Sequence, residues 1–479
     1  MKSLQVILIV FVFSLIGCKK FLTDTPPSDL DAKNFLTSEQ GISALLNSVY
    51  SSANFGDKDM MTVTEWSTDI NLERGGVEER DASVIMNYTL DGNVDRMNSN
   101  LWYVPYTAIR NANIFLDNVD NSELSDDKKK LYTAEARFLR AMVYYMLYTW
   151  YGTVPLRTKS TDEIEMARAT DEEMKNFIET ELLAVVPDLP EPAQAAAYGR
   201  AHKGAARGFL TKYYLNTKQW QKCADMAQEI IDMHYYELFS NYETMFKVEN
   251  EGNKEMIWVR QRIAGKGGNQ YPNAALPPGF KKDPYTGFTF KAGMANWAAN
   301  YRVYTAFYNS FESTDKRRNL IMTRYINNAG DTVNLTNEPD NFRPMKYYDE
   351  NALADHGNDF PFVRYADILL SQAEALNELN GPTQESVDLI NLVRDRAGLD
   401  DKLLTDFPAK EDLRMHILKE RGWELWSEGV RRDDLIRMGK LIEYAQARGV
   451  VNAQPFHVKL PFPQDEISAN SKLVQNDGY

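Results

Sequence analysis

Cys18 has the most sharply defined chemical setting in the chain. It closes the run Leu15-Ile16-Gly17-Cys18, after a positive start at Lys2 and an apolar stretch from Leu4 to Gly17. That pattern is a lipobox: small residues suit a lipoprotein signal peptidase, and the thiol of Cys18 then carries the lipid. The stretch is too short to persist as a membrane-spanning helix, whereas acyl chains anchor at ~0.8 kcal/mol per buried methylene. The expectation is a signal peptide over 1–17, a lipidated tether over 18–36 that contains Pro26 and Pro27, and a single folded body over 37–479.

Aromatic residues interleaved with polar ones offer a second chemistry. One set is Trp66, Asp69 and Arg74; the other is Tyr271, Tyr285, Phe288, Trp297, Asn300 and Tyr301. A flat aromatic ring packs on the C–H face of a pyranose, and carboxylate, amide and guanidinium groups take up the hydroxyls around it. Trp66, Asp69, Arg74, Tyr271, Tyr285, Trp297, Asn300 and Tyr301 are therefore the candidate ligand residues. Packing under a loop is the competing role for each aromatic.

Signatures of catalysis are missing. There is no Gly-x-Ser-x-Gly, and Gly265-Lys266-Gly267-Gly268 lacks the spacing of a phosphate loop. The five His are scattered, with no His-x-x-x-His, Cys-x-x-Cys or EF-hand loop, so no metal or cofactor is expected. A hydrolase built from two carboxylates is the enzyme alternative, because 68 Asp and Glu give it ample material. The formal charge of −14 repels phosphate backbones, which excludes nucleic acid as a partner and suits a neutral or cationic ligand, including a cationic peptide. The second cysteine, Cys223, falls inside a helical pattern and reads as a buried thiol.

The elements that must position these residues are mostly helical. Thr37 with Gln40 reads as a capping box for a helix bearing Ile42, Leu45, Leu46, Val49 and Tyr50 on one face. Helical spacing returns over 101–118, 127–151, 171–186, 203–216 and 220–233, then over 362–380, 383–397 and 410–426. Gly152 and Pro155 end the second of these. Trp220, Ala224, Ala227 and Ile231 give the 203–233 pair the look of a tetratricopeptide unit. Residues 53–100 and 250–350 lack helical periodicity and read as loop insertions, with short strands near 255–260 and 318–325 and an extended tail at Leu460-Pro461-Phe462-Pro463. The fold class expected is mostly α: a tetratricopeptide-like scaffold over 37–240 and 362–447, with long irregular loop insertions and a few short strands. Trp102, Trp423 and Trp426 read as core. Arg137, Arg140, Glu374, Arg394, Arg421 and Asp434 read as ion pairs between helices.

Several segments, in order over nearly the whole chain, resemble the SusD/RagB family. They include Leu101-Trp102-Tyr103-Val104-Pro105-Tyr106, Ala134-Glu135-Ala136-Arg137-Phe138-Leu139-Arg140-Ala141 with Tyr151-Gly152, and Arg364-Tyr365-Ala366-Asp367-Ile368-Leu369-Leu370. Glu420-Arg421, Asp433-Asp434-Leu435-Ile436-Arg437 and Gln475-Asn476-Asp477-Gly478-Tyr479 follow. The resemblance implies a SusD-like helical fold and an outer-membrane lipoprotein that faces outward. It implies capture of oligosaccharides, without catalysis, for delivery to a SusC-like TonB-dependent transporter. It also implies ligand contacts in the two insertions, with Asp69 where an acidic contact is expected. Some relatives take peptides instead, so a peptide ligand stays open.

Overall fold

The computed structural model describes residues 32–53, 58–75, 79–297 and 301–479. The expected lipid site, Cys18, lies outside the described residues, as does Asn300. Ten helices carry the frame. α1 (Glu39–Ala53) packs on α2 (Val104–Asn118), α2 on α3 (Asp126–Tyr151), and α3 on α4 (Asp171–Val185). α5 (Lys203–Asn216) pairs with α6 (Trp220–Ile231), and α6 lies against α7 (Tyr365–Asn380). α7 in turn packs on α8 (Gln384–Ala397) and α9 (Lys410–Leu425), and the short α10 (Arg431–Arg437) follows. The chain is about 53% helical with few short strands, which places it in the mostly α class. No described helix is long and apolar enough to cross a membrane.

Local chemistry explains the helix ends. Thr170 accepts from the Glu173 N–H while Glu173 reaches back to the Thr170 N–H, a capping box that opens α4. Gly398, at φ 78°, closes α8 in the left-handed region that favours glycine. The first helix corrects the reading at Thr37: residues 32–37 are themselves helical, and Ser38 Oγ accepts from the Gly41 N–H at 3.1 Å, so the cap lies one residue later. A second correction concerns Phe362–Arg364. These residues belong to a strand, because Pro361 excludes the helix interior and restricts the residue before it.

The insertions also differ from expectation. Residues 53–100 contain the short helices Lys58–Glu65, Glu79–Met86 and Asp95–Asn98, followed by a π-helical turn at Ser99–Tyr103. Their apolar stripes span only one or two turns, too few for periodicity to stand out. Residues 250–350 hold short strands, as expected. β1 (Asn71–Glu73) pairs with β4 (Tyr301–Val303), and β2 (Met256–Arg260) with β9 (Phe360–Arg364). β3 (Phe280–Lys282), β6 (Arg324–Asn327) and β7 (Thr332–Asn334) form a three-stranded sheet, and β5 (Ile321–Met322) pairs with β8 (Arg343–Pro344).

The core includes the three tryptophans expected there. Trp102 packs edge-on against Tyr151 at 5.1 Å and Phe462 at 5.2 Å, so the extended tail completes the core around α2 and α3. The motif charges are interhelical ion pairs. Arg137 and Arg140 both reach Glu181, tying α3 to α4 at 2.8 and 2.9 Å. Glu374 on α7 holds Arg437 on α10 at 2.6 Å. Arg421 on α9 holds Asp367 and Asp434, each at 2.9 Å, and Arg394 on α8 reaches Glu420 at 3.3 Å. Burial alone would raise the Glu424 carboxyl, but Arg396, Arg364 and Arg317 around it hold it well below the usual carboxylate range.

Candidate functional site

β1 belongs to the first insertion and β4 to the second, so their ladder joins the two insertions into one surface. Asn71 faces Val303, Leu72 faces Arg302, and Glu73 faces Tyr301. Side chains alternate across such a ladder. One face holds Asn71, Glu73, Tyr301 and Val303, all buried. The other carries Arg302, and Arg74 continues it just past the end of β1. Arg74 reaches toward Asp340 at 4.0 Å, and Arg302 toward Glu338 at 3.8 Å. Asp340 sits at φ 54°, where its N–H donates to Thr305 Oγ1 at 2.7 Å and its Oδ1 accepts from the Thr305 N–H at 2.9 Å. Those two bonds fix its backbone in an uncommon conformation and leave Oδ2 for Arg74.

Trp297, just before β4, is the exposed aromatic of this seam, at 38% of its surface. Its backbone N–H donates to Asn273 O at 2.8 Å, and the Ala295 N–H donates to Ala354 O at 2.9 Å. Asn273 is itself buried and donates to Asp355 Oδ1 at 2.7 Å, so the platform stands on a rigid support. Lys58, from the first insertion, places its ammonium 5.5 Å from the indole centroid. A half-open indole with the Lys58 ammonium beside it can stack on a sugar ring.

The other candidates divide. Trp66, Tyr271 and Tyr301 are corrected from open platforms to packing, at 1%, 2% and 2% exposure. Trp66 meets Tyr301 edge-on at 5.9 Å and Tyr271 lies 5.5 Å from Tyr301; a ring covered on both faces has none to offer a ligand. Tyr271 OH shares a hydrogen bond with Ser427 Oγ at 2.7 Å, which pins this cluster to the loop before α10. Beneath it lies Glu65, which accepts from Asn71 and from the Gly429 N–H; burial pushes its carboxyl up to about 7. Asp69 gives both oxygens to Arg431, at 2.8 and 2.7 Å, and so ties the first insertion to α10. Burial opposes the lowering of its carboxyl, and Arg431 wins. Tyr285 is exposed but stands apart, its hydroxyl held by Glu243. The structure thus brings Arg74 and Trp297 to the seam. Asp340, also at the seam, and the buried Lys58 that packs over the Trp297 ring were missed by sequence reasoning because nothing local distinguishes them from solvated charges.

The relation to known proteins is decided by a family model. The model described as the SusD family matches residues 82–479. The chain belongs to the SusD family. It is 29% identical to SusD-like protein P25 of Formosa agariphila, with 100% of this chain and 99% of that one covered. It is 23% identical to the starch-binding protein SusD of Bacteroides thetaiotaomicron, over 78% of this chain and 76% of that one. Among solved structures, a laminarin-binding SusD-like protein superposes with a TM-score of 0.78 at 24% identity, covering 92% of this chain and 100% of its own. Surface glycan-binding protein A of Bacteroides thetaiotaomicron, solved with laminarihexaose, gives 0.76 at 21% identity, with 92% and 100% covered. These likenesses establish the SusD-like fold.

Proposed function

We propose that this SusD-family chain is a glycan-binding lipoprotein of the outer membrane. It captures oligosaccharide at the seam of its two insertions and delivers it, unaltered, to a SusC-like TonB-dependent transporter. The single observation that carries the reading is Trp297: a half-exposed indole on a rigid support, where both insertions meet. Relatives named for laminarin, laminarihexaose and starch binding support a neutral glycan as the ligand. Trp297 supplies the apolar platform, and Arg74 and Asp340, beside the β1–β4 ladder of the same two insertions, supply hydroxyl partners. Cys18 carries the lipid that holds the protein at the surface, with the insertions facing outward.

Affinity electrophoresis through gels containing laminarin, starch or xylan tests this. The expected result is retardation by at least one glycan, relieved by Trp297→Ala. Equal mobility in every gel, with binding of mixed peptides in its place, would transfer the site to the peptide class.

A further inference from the structure

Arg343, in β8, is 2% exposed, and its Nε and Nη1 are shut away from water. Among the described residues, no hydrogen bond or ion pair reaches this guanidinium. A buried ion in that state is costly, because neither water nor protein has replaced its hydration. The remaining nitrogen, Nη2, is not sealed, and it is the edge that a ligand meets first.

The ladder of the seam brings a second arginine beside it. The Val303 N–H donates to Phe342 O at 2.9 Å, which adds the chain at β8 to β4 in antiparallel register. One step along, Arg302 and Arg343 fall on the same side of neighbouring strands, between Leu72 on β1 and Met322 on β5. Like charges set opposite each other across strands are destabilising. Burial and the neighbouring Arg302 both lower the Arg343 guanidinium from the usual arginine range. Arg302 Nε is itself buried and unmet. Arg74 stands at the exposed end of the row. Glu338 approaches Arg302 at 3.8 Å and Asp340 approaches Arg74 at 4.0 Å, both beyond hydrogen-bond reach. Three guanidiniums thus face two carboxylates, in a chain whose formal charge is −14. Asn341, two residues before Arg343, has its Oδ1 buried and unmet as well. An oxyanion would answer the arginines, and a hydroxyl donor would answer the amide. An acidic sugar carries both groups.

We propose that Arg302 and Arg343 form an oxyanion subsite beside the seam, which takes the carboxylate of a uronic acid or the sulfate ester of a sugar on an otherwise neutral glycan. The planar guanidinium fork matches either group with two parallel hydrogen bonds. The anion site rests on the arginines alone; its assignment to a sugar rests on the seam being a glycan site.

Ligand-detected NMR on the purified protein at low ionic strength tests the proposal. The probes are glucuronate, glucose 6-sulfate and glucose, with inorganic sulfate as competitor. The expected result is that one of the two acidic sugars binds at least tenfold more tightly than glucose, and which one binds names the source of the anion. That binding should weaken at least tenfold in Arg343→Met and in Arg302→Gln, and persist in Trp297→Ala. Methionine removes the buried charge at similar volume, and Arg302 is half-buried, so its replacement keeps the test valid if the first variant misfolds. No preference over glucose, binding unchanged in both arginine variants, or displacement by equimolar inorganic sulfate overturns it. The glycan-gel assay with neutral glycans reads Trp297 and not these arginines, so either reading can fail without the other.

Discussion

Trp66 is packed in the core under Tyr301, whereas Trp297 leaves 38% of its surface open. Trp66 and Trp297 both sit among polar residues in irregular segments, and nothing in their neighbours separates them. Only the β1–β4 ladder does so, by folding Tyr301 over Trp66 and leaving Trp297 outside. Their replacements should therefore diverge. Trp297→Ala should weaken oligosaccharide affinity at least tenfold, about 1.4 kcal/mol, with an unchanged melting temperature. Trp66→Ala should cost ~3–5 kcal/mol in chemical denaturation, as large core deletions do. Equal effects of the two on stability would contradict the assignment. The motif charges were legible because Arg and Glu at helical spacing within apolar segments must be paired when buried. Asp69 was legible as an important carboxylate but not as the partner of Arg431, 362 positions away.

Elements were legible in proportion to their length. α3, α5, α8 and α9 were expected to within a residue or two at each end, because several turns of apolar stripe leave little ambiguity. The three short helices of the first insertion were missed, since their stability comes from contacts made elsewhere in the chain. The seam is held from below by Asp69–Arg431 and by the Glu65–Gly429 bond. Asp69→Ala should accordingly raise amide exchange over residues 58–75 and weaken glycan binding, while exchange in α3 and α5 stays unchanged. Unaltered protection over 58–75 would show that the ladder alone holds the insertion. In the buried network, Glu424→Gln leaves Arg317, Arg364 and Arg396 short of a countercharge and should cost ~3–5 kcal/mol.

For the whole molecule, buried titratable groups set how stability follows pH. Desolvation lowers His202 and His356 to about 4 and His416 to about 3. The unfolded chain protonates these below ~6.5, so their contribution is present above that pH and is lost as pH falls toward 3–4. Burial raises Glu65 to about 7, Glu251 to about 8, and Asp359 and Asp433 to about 6. Their contribution is present below ~4 and is lost as pH rises through these values. The two sets oppose each other between pH ~4.5 and 6.5. Below pH ~4 the depressed carboxylates Glu424, Asp367 and Asp434 lose their ion pairs. The melting temperature should therefore show a broad maximum near pH ~5–6, a gentle decline toward 8 and a collapse below 4. A maximum above pH 7 would contradict the assignment of the raised carboxyls.

In the proposed function the two insertions together grip a glycan and leave it intact. Isothermal titration of the protein with laminarihexaose and a panel of other oligosaccharides, followed by mass spectrometry of the recovered ligand, tests it most directly. The expected result is saturable binding of at least one oligosaccharide, a loss of at least tenfold in Trp297→Ala, and recovery of the ligand at its starting mass. Shortened products, or binding that is indifferent to Trp297, would contradict it.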